Sequence, residues 1–247
     1  MSTRSALITG AAGGIGSSLC REFRAAGYYV VGLDRREAEC DADRFVRADL
    51  ARFAGEEAYR TSLAAELRAM LPGARLDVLV NNAAVQILGS TEEVSEAGWR
   101  ETFDVNVLAP FLLAQQFVVE LGSARGSIIN ISSIHAVLTK PGFVSYAASK
   151  AALVGLTRSL AVDLGGRVRV NAICPAAIGD TAMLDDGFSG RPEAYAQLAA
   201  LHPSGRVGTP ADVARCALFL ADAANDFLTG TVLGLDGGIG ARLHDPL

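Results

Sequence analysis

Short apolar runs alternate with longer stretches of helical periodicity along the whole chain. Leu7-Ile8-Thr9 is the first run. It leads straight into Gly10-Ala11-Ala12-Gly13-Gly14-Ile15-Gly16, and Leu19, Cys20 and Phe23 then recur at helical spacing through Ala26. Tyr28 to Leu33 is a second run, ending at Asp34, and Phe45 to Ala48 a third, ending at Asp49-Leu50. Leu63, Leu67 and Leu71 predict a helix over about 56–71, stopped by Pro72-Gly73. Leu76 to Val80 predicts a fourth strand before Asn81-Asn82-Ala83-Ala84. A long helical region covers about 95–121, interrupted near Asn106 and Pro110. Ser127 to Ile131 predicts strand five, and Tyr146 to Leu164 an Ala- and Leu-rich helix with few charges on any face. Val168 to Ile173 predicts strand six and Thr231 to Leu235 a last strand, before Gly237-Gly238.

Strand and helix alternate with crossovers too long for hairpins. This predicts an α/β fold: one doubly wound parallel sheet of about seven strands with helices on both faces, in a single domain over residues 1–247. The glycines, Asp34, Asp49 and Asn81 to Ala84 all follow predicted strands, as do the two serines after Ile131. A ligand of such a sheet binds off the carboxyl ends of its strands.

Composition narrows the partners. Half the chain is hydrophobic, 20% is charged, and the net charge is −5. There is no tract of five or more basic residues, which argues against nucleic acid. Cys20, Cys40, Cys174 and Cys216 form no C-x-x-C pair, so the expectation is reduced thiols in a cytoplasmic protein. Met1 to Arg4 does not resemble a signal peptide. The uncharged run Val105 to Val119 is shorter than a membrane span and contains Asn106, Pro110 and two glutamines, so it reads as a buried helix and no membrane partner is expected.

Three places carry candidate chemistry. A glycine turn between a strand and a helix lets backbone approach a pyrophosphate, and the free N–H groups of the helix start attract its charge. Asp34 ends the second strand, where a carboxylate can accept from ribose hydroxyls and repel a 2′-phosphate; this favours NAD. Arg35 and Arg36 complicate that reading, since an arginine there can hold the phosphate of NADP. Tyr146 and Lys150 lie four apart, on one helical face. An ammonium beside a phenol lowers its pKa toward neutrality, and such a pair is a general acid/base. Asn106 is polar inside an apolar stretch and needs a partner.

With these motifs the sequence resembles the short-chain dehydrogenase/reductase family, in its single-domain Rossmann-type form, over nearly its whole length. Thr9-Gly10-Ala11-Ala12-Gly13-Gly14-Ile15-Gly16 matches T-G-x-x-x-G-x-G, Asn81 to Ala84 resembles N-N-A-G, and Tyr146 to Lys150 matches Y-x-x-x-K. Ser133 lies at the family's usual distance before Tyr146, and Asn171 to Pro175 resembles N-x-[IV]-x-P. The stretch from Gly205-Arg206 to Gly237-Gly238 is similar as well. Ala84 and Ala176 stand where the family usually has glycine, and Thr181 falls one position late.

The resemblance implies a hydride transfer between a nicotinamide cofactor and a secondary alcohol or ketone. Its catalytic set would be Asn106, Ser133, Tyr146 and Lys150: Tyr146 the general acid/base, Lys150 lowering its pKa and binding the nicotinamide ribose, Ser133 on the substrate oxygen, Asn106 holding a relay water. The implied cofactor contacts are Gly10, Gly14, Ile15, Gly16, Asp34, Arg35, Asp49, Leu50, Asn82, Ala83, Ala84, Tyr146, Lys150, Pro175, Ala176, Ile178 and Thr181. NAD is favoured over NADP. The substrate is a small alcohol or ketone, with a sugar or polyol preferred. The rivals are an NADPH-dependent 3-oxoacyl thioester reductase and a non-catalytic dinucleotide-binding regulator. A lid is expected from Ala176 to about Leu201. His135 is open between a substrate contact and an ordinary surface or core histidine; His202 and His244 have no neighbours that suggest a metal, and none is expected. The family also implies a homo-oligomer, a dimer or tetramer.

Overall fold

The structure, a computed structural model, describes residues 3–37 and 40–243. His244 and the start of the chain at Met1, both considered above, lie outside the described residues. In chain order come β1 (Arg4–Thr9), α1 (Gly14–Ala25), β2 (Tyr28–Asp34), β3 (Arg44–Arg47), α2 (Leu50–Gly55) and α3 (Glu57–Met70). Then follow β4 (Val78–Asn81), α4 (Glu96–Phe103), α5 (Ala109–Ala124), β5 (Ser127–Ile131) and α6 (Val144–Leu164). The last part holds β6 (Arg169–Pro175), α7 (Ala182–Phe188), α8 (Pro192–Leu201), α9 (Pro210–Ala221) and β7 (Val232–Leu235).

The strands form one seven-stranded sheet in the order β3-β2-β1-β4-β5-β6-β7, parallel throughout. Successive strand residues point to opposite faces, and here both faces are covered. Leu7, Val31, Leu79 and Ile128 pack with Phe53, Leu67 and Phe117 on one side. Ile8, Val30, Val80 and Ile129 pack with Leu19, Phe23, Val213 and Leu220 on the other. The strands therefore read as unbroken apolar runs, without alternation. Phe23, Phe53 and Phe117 are fully buried; each contributes about 1.5–3 kcal/mol of transfer free energy. The strand order reverses between β1 and β4, which opens a crevice at their carboxyl ends.

Several elements differ from the sequence expectation. The helix expected over 56–71 begins at Glu57, after an extended Glu56, and a separate α2 precedes it. Asp49 starts α2 by accepting hydrogen bonds from the N–H groups of Ala51 (2.9 Å) and Arg52 (3.3 Å). Helix α9 was not predicted, although Thr209, Pro210 and Asp212 build a capping box at its start. The interruption near Asn106 is a π-helical turn over Asp104–Leu108 that joins α4 to α5 without a break. The run judged too short for a membrane is thus part of a longer helical stretch, Glu96–Ala124, which is apolar and long enough to cross one. Its residues Ala109, Leu113, Phe117 and Leu121 are fully buried in the core beside the sheet.

Candidate active site

The exits of β1 and β4 are stitched together by Thr9. Its Oγ1 accepts from the N–H groups of Asn82 and Ala83, both at 3.0 Å. Asn82 Nδ2 donates back to the carbonyls of Thr9 (3.0 Å) and Gly10 (3.2 Å). Asn82 thus packs against the glycine loop itself. Gly10 has φ of 68°, and a Cβ there would lie 2.8 Å from Asn82 Nδ2. A Cβ on Gly16 would meet the Gly10 carbonyl oxygen at 1.9 Å. Helix α1 begins at Gly14 with no side-chain cap, so its first N–H groups remain free for an anion. Ile15 packs against the apolar layer behind them.

Beside this loop, Asp34 ends β2 with both carboxylate oxygens engaged. Oδ2 accepts from the Ala12 N–H (3.1 Å) and Oδ1 from the Arg36 N–H (2.9 Å). The Arg36 guanidinium lies 3.7 Å from Asp34 and donates to the Ala12 carbonyl at 3.3 Å. Arg35 is exposed, and its carbonyl accepts from Arg47 Nε. The structure therefore brings Arg36, and not Arg35, onto the glycine loop. Asp49 stands at the start of α2 with Leu50 buried behind it. Ala83 and Ala84 are half-buried at the exit of β4.

The chain leaving β6 covers the same loop. Pro175 ends the strand, and the Ala176 N–H donates to the Leu235 carbonyl at 3.1 Å. Ile178 is buried and pairs with Gly208, where a Cβ would sit 2.5 Å from Ile178 Cδ1. The Arg206-Val207-Gly208 stretch thereby anchors the segment. The extra residue before Thr181 is absorbed by Asp180, which adopts φ of 54°. A Cβ on Gly14 would meet the Asp180 carbonyl oxygen at 2.2 Å and Thr181 Cγ2 at 3.2 Å. Late as it is in sequence, Thr181 still arrives at the glycine loop. There it caps α7, and its hydroxyl donates to the Ile178 carbonyl at 2.8 Å.

The proposed catalytic residues Asn106, Ser133, Tyr146 and Lys150 are all buried. Lys150 Nζ donates to the Ile131 carbonyl at 2.9 Å and lies 5.6 Å from the Tyr146 ring centroid. Helix α6 is pinned to this place by Ser132 Oγ, which donates to the Lys150 carbonyl at 2.9 Å. Burial lowers the Lys150 pKa to about 8. Burial also pushes the Tyr146 phenol up to about 12, while a hydrogen bond with the Ser133 hydroxyl acts the other way. The expectation that the ammonium draws the phenol toward neutrality is corrected for the protein alone: loss of water raises the phenol instead.

Asn106 is fully used as a structural clamp. Its Oδ1 accepts from the Val85 N–H (2.9 Å), and its Nδ2 donates to the Val85 carbonyl and to Ser149 Oγ, both at 3.0 Å. Ser149 Oγ in turn donates to the Tyr146 carbonyl at 2.7 Å. The clamp thus reaches from the exit of β4 to the catalytic turn of α6. Ser149 escaped sequence reading because it sits inside the Y-x-x-x-K interval, where only the end residues are diagnostic.

Met183, on α7, was read only as part of an apolar lid. Its Sδ lies 4.0 Å from the Tyr146 hydroxyl. His202 is buried and bonds the Leu198 carbonyl through Nδ1 at 2.8 Å. Among the described residues no group of three or more His, Cys, Asp or Glu side chains could hold a metal ion.

A glycine loop, an acid at the end of β2 and a buried Ser–Tyr–Lys set, all at the carboxyl ends of one parallel sheet, define a dinucleotide-dependent oxidoreductase site. Comparison with known proteins agrees. The family model described as enoyl-(acyl carrier protein) reductase matches residues 10–240. The chain belongs to the short-chain dehydrogenase/reductase family. It is 37% identical to galactitol 2-dehydrogenase (L-tagatose-forming) of Cereibacter sphaeroides, covering 94% of this chain and 93% of that one. It is 34% identical to the NAD-dependent glycerol dehydrogenase of Listeria innocua, covering 94% and 92% respectively. The aldohexose dehydrogenase of Thermoplasma acidophilum has the same fold, with a TM-score of 0.92 and 28% identity over 100% of this chain and 97% of its own. The protein is an alcohol oxidoreductase of this family that uses a nicotinamide cofactor.

Proposed function

We propose that this protein is an NAD-dependent dehydrogenase that interconverts a secondary alcohol of a sugar or polyol and the corresponding ketone. The observation that carries this reading is the burial of Ser133, Tyr146 and Lys150 at the carboxyl end of the sheet that also carries the glycine loop. The nicotinamide cofactor, when bound, exchanges the hydride. The protein's own residues handle the proton. Tyr146 takes it from the carbinol hydroxyl during oxidation and returns it during reduction. Ser133 donates to the same substrate oxygen and stabilises the negative charge that develops there. Lys150, with its lowered pKa, passes the proton onward. Asn106, whose side chain is taken up by Val85 and Ser149, would hold the relay water through its backbone carbonyl.

The residues that would hold the dinucleotide are the glycine loop and the start of α1 for its pyrophosphate, Asp34 for the adenosine ribose and Thr181 for the carboxamide. Asp34 supports NAD, as does the name of the glycerol dehydrogenase relative. The relatives that act on galactitol and glycerol support a polyol. The second reading is a 3-oxoacyl thioester reductase using NADPH; the acyl carrier protein named in the matching family model's description favours an acyl thioester substrate, and Asp34 opposes NADPH. The protein acts in the cytoplasm as a homo-oligomer. Screening sugars, polyols, hydroxy acids, steroids and a 3-oxoacyl thioester with both cofactors tests this assignment. Efficient turnover of the thioester with NADPH alone would overturn it.

A further inference from the structure

His135 follows Ser133 by two residues, and four contacts fix it. Its backbone N–H donates to Ser133 Oγ at 3.2 Å. Its ring stacks on Phe143 with centroids 4.3 Å apart and planes 3° from parallel. It stands edge-on to the Tyr146 ring at 5.8 Å. Its Nδ1 pairs with Thr139 Oγ1 at 3.0 Å. Aromatic stacking and one hydrogen bond leave the ring little freedom. Among the described residues no protein group bonds Nε2. The ring is half-buried, and burial first, then the charge of Lys140, hold its pKa below the ordinary value. The imidazole is therefore neutral near pH 7, with one nitrogen committed and the other free beside the catalytic tyrosine.

We propose that His135 is a specificity-determining residue whose Nε2 hydrogen-bonds a second hydroxyl, on the carbon next to the reacting carbinol, so that the site selects vicinal diols and polyols over simple alcohols. This rests on the dehydrogenase reading above. If the carbinol oxygen binds Ser133 and Tyr146, as proposed, the His135 ring, 5.8 Å from the Tyr146 ring, lies near enough to meet a hydroxyl one carbon along. A neutral imidazole can donate or accept, as a hydroxyl can, which suits an uncharged polyol better than a carboxylate. The bond is made in the ground state and persists through the reaction, so it acts mainly on KM.

The experiment compares 2,3-butanediol with 2-butanol, and 3-hydroxybutanoate as the acid alternative, using NAD and the full-length protein. Wild type is expected to prefer the diol. His135→Phe keeps the stack on Phe143 but removes the nitrogen. It should lower the diol-to-mono-ol ratio of kcat/KM about 10-fold, the size of one hydrogen bond between neutral groups. His135→Gln should restore part of that ratio, and Thr139→Val, at an exposed position, should lower it by a smaller factor. NADH binding and Tm confirm that each variant is folded. A His135→Phe ratio equal to that of wild type overturns the inference, as does a wild-type preference for the hydroxy acid. A wild type that oxidises the mono-ol as well as the diol also overturns it, while leaving the dehydrogenase reading intact. A wild type that oxidises none of the three overturns both.

Discussion

Tyr146 and Lys150 carry opposite shifts with a single main cause. Both are buried, and both favour the neutral form, so the phenol keeps its proton and the amine gives its up early. Alcohol oxidation consumes a phenolate, so with the phenol held up at about 12 its kcat/KM should keep climbing with pH toward that value, and ketone reduction should fall only as the pH approaches it. Tyr146→Phe removes the proton donor and should lower kcat by at least about 10³-fold while leaving NADH binding within a few-fold of wild type. An oxidoreductase rate that survives this change would refute the mechanism. The lysine also links stability to pH. Its folded pKa is about 8 against 10.5 when unfolded. Between those values the unfolded chain binds more protons, so raising the pH stabilises the fold. Lys150→Met removes this dependence. The Tm of the variant minus that of wild type should be greatest below about pH 8 and shrink toward about pH 10. At this scale the end residues of the catalytic helix were legible because their spacing is fixed by helix geometry. The clamp from Asn106 through Ser149 was not, because it joins residues 43 apart through a π-helical turn that leaves no periodic trace. Asp49 was legible as an acid after a strand, but its capping of α2 was missed because that helix has only 6 residues.

Among the elements, the glycine loop and the segment after β6 behave as one unit. Gly14→Ala would drive a methyl group into the Asp180 carbonyl, and backbone there cannot yield cheaply. It should raise the KM for the cofactor about 10-fold or more while costing about 1–3 kcal/mol of stability; both are read from kinetics and thermal melts. Asp180 sits in the left-handed region, where a non-glycine residue is strained by about 1–2 kcal/mol. Asp180→Gly relieves that strain but also loosens the unfolded chain, so a gain in Tm of no more than a few degrees is expected. The strands were legible as apolar runs because both faces of a covered parallel sheet select the same residues. Helices α7 and α8 were seen only as a mixed lid, since they have no fully buried residues and hence no clear apolar stripe. The capping box of α9 was present in the sequence all along, as Thr209, Pro210 and Asp212. The glycines just before it, Gly205 and Gly208, mask it as part of the family's tail motif.

Across the whole molecule, the doubly wound parallel sheet was readable from the alternation of elements, whereas the order of its strands was not. Quaternary structure is another matter, because an outward apolar residue looks the same in sequence whether water or a partner covers it. Val119 on α5 and Val162 on α6 are 74% and 84% exposed in the single chain. If the protein is an oligomer, as proposed, sedimentation should give a mass that is a multiple of 25.7 kDa. Val162→Glu should shift it toward the monomer if α6 lies in an interface; a sharp monomer boundary for wild type would refute the proposal. Met183 Sδ rests 4.0 Å from the Tyr146 hydroxyl. If a carbinol oxygen binds that hydroxyl, as proposed, the thioether and the substrate compete for it. The apparent affinity for an alcohol would then be its intrinsic affinity scaled by the fraction of molecules in which Met183 has withdrawn.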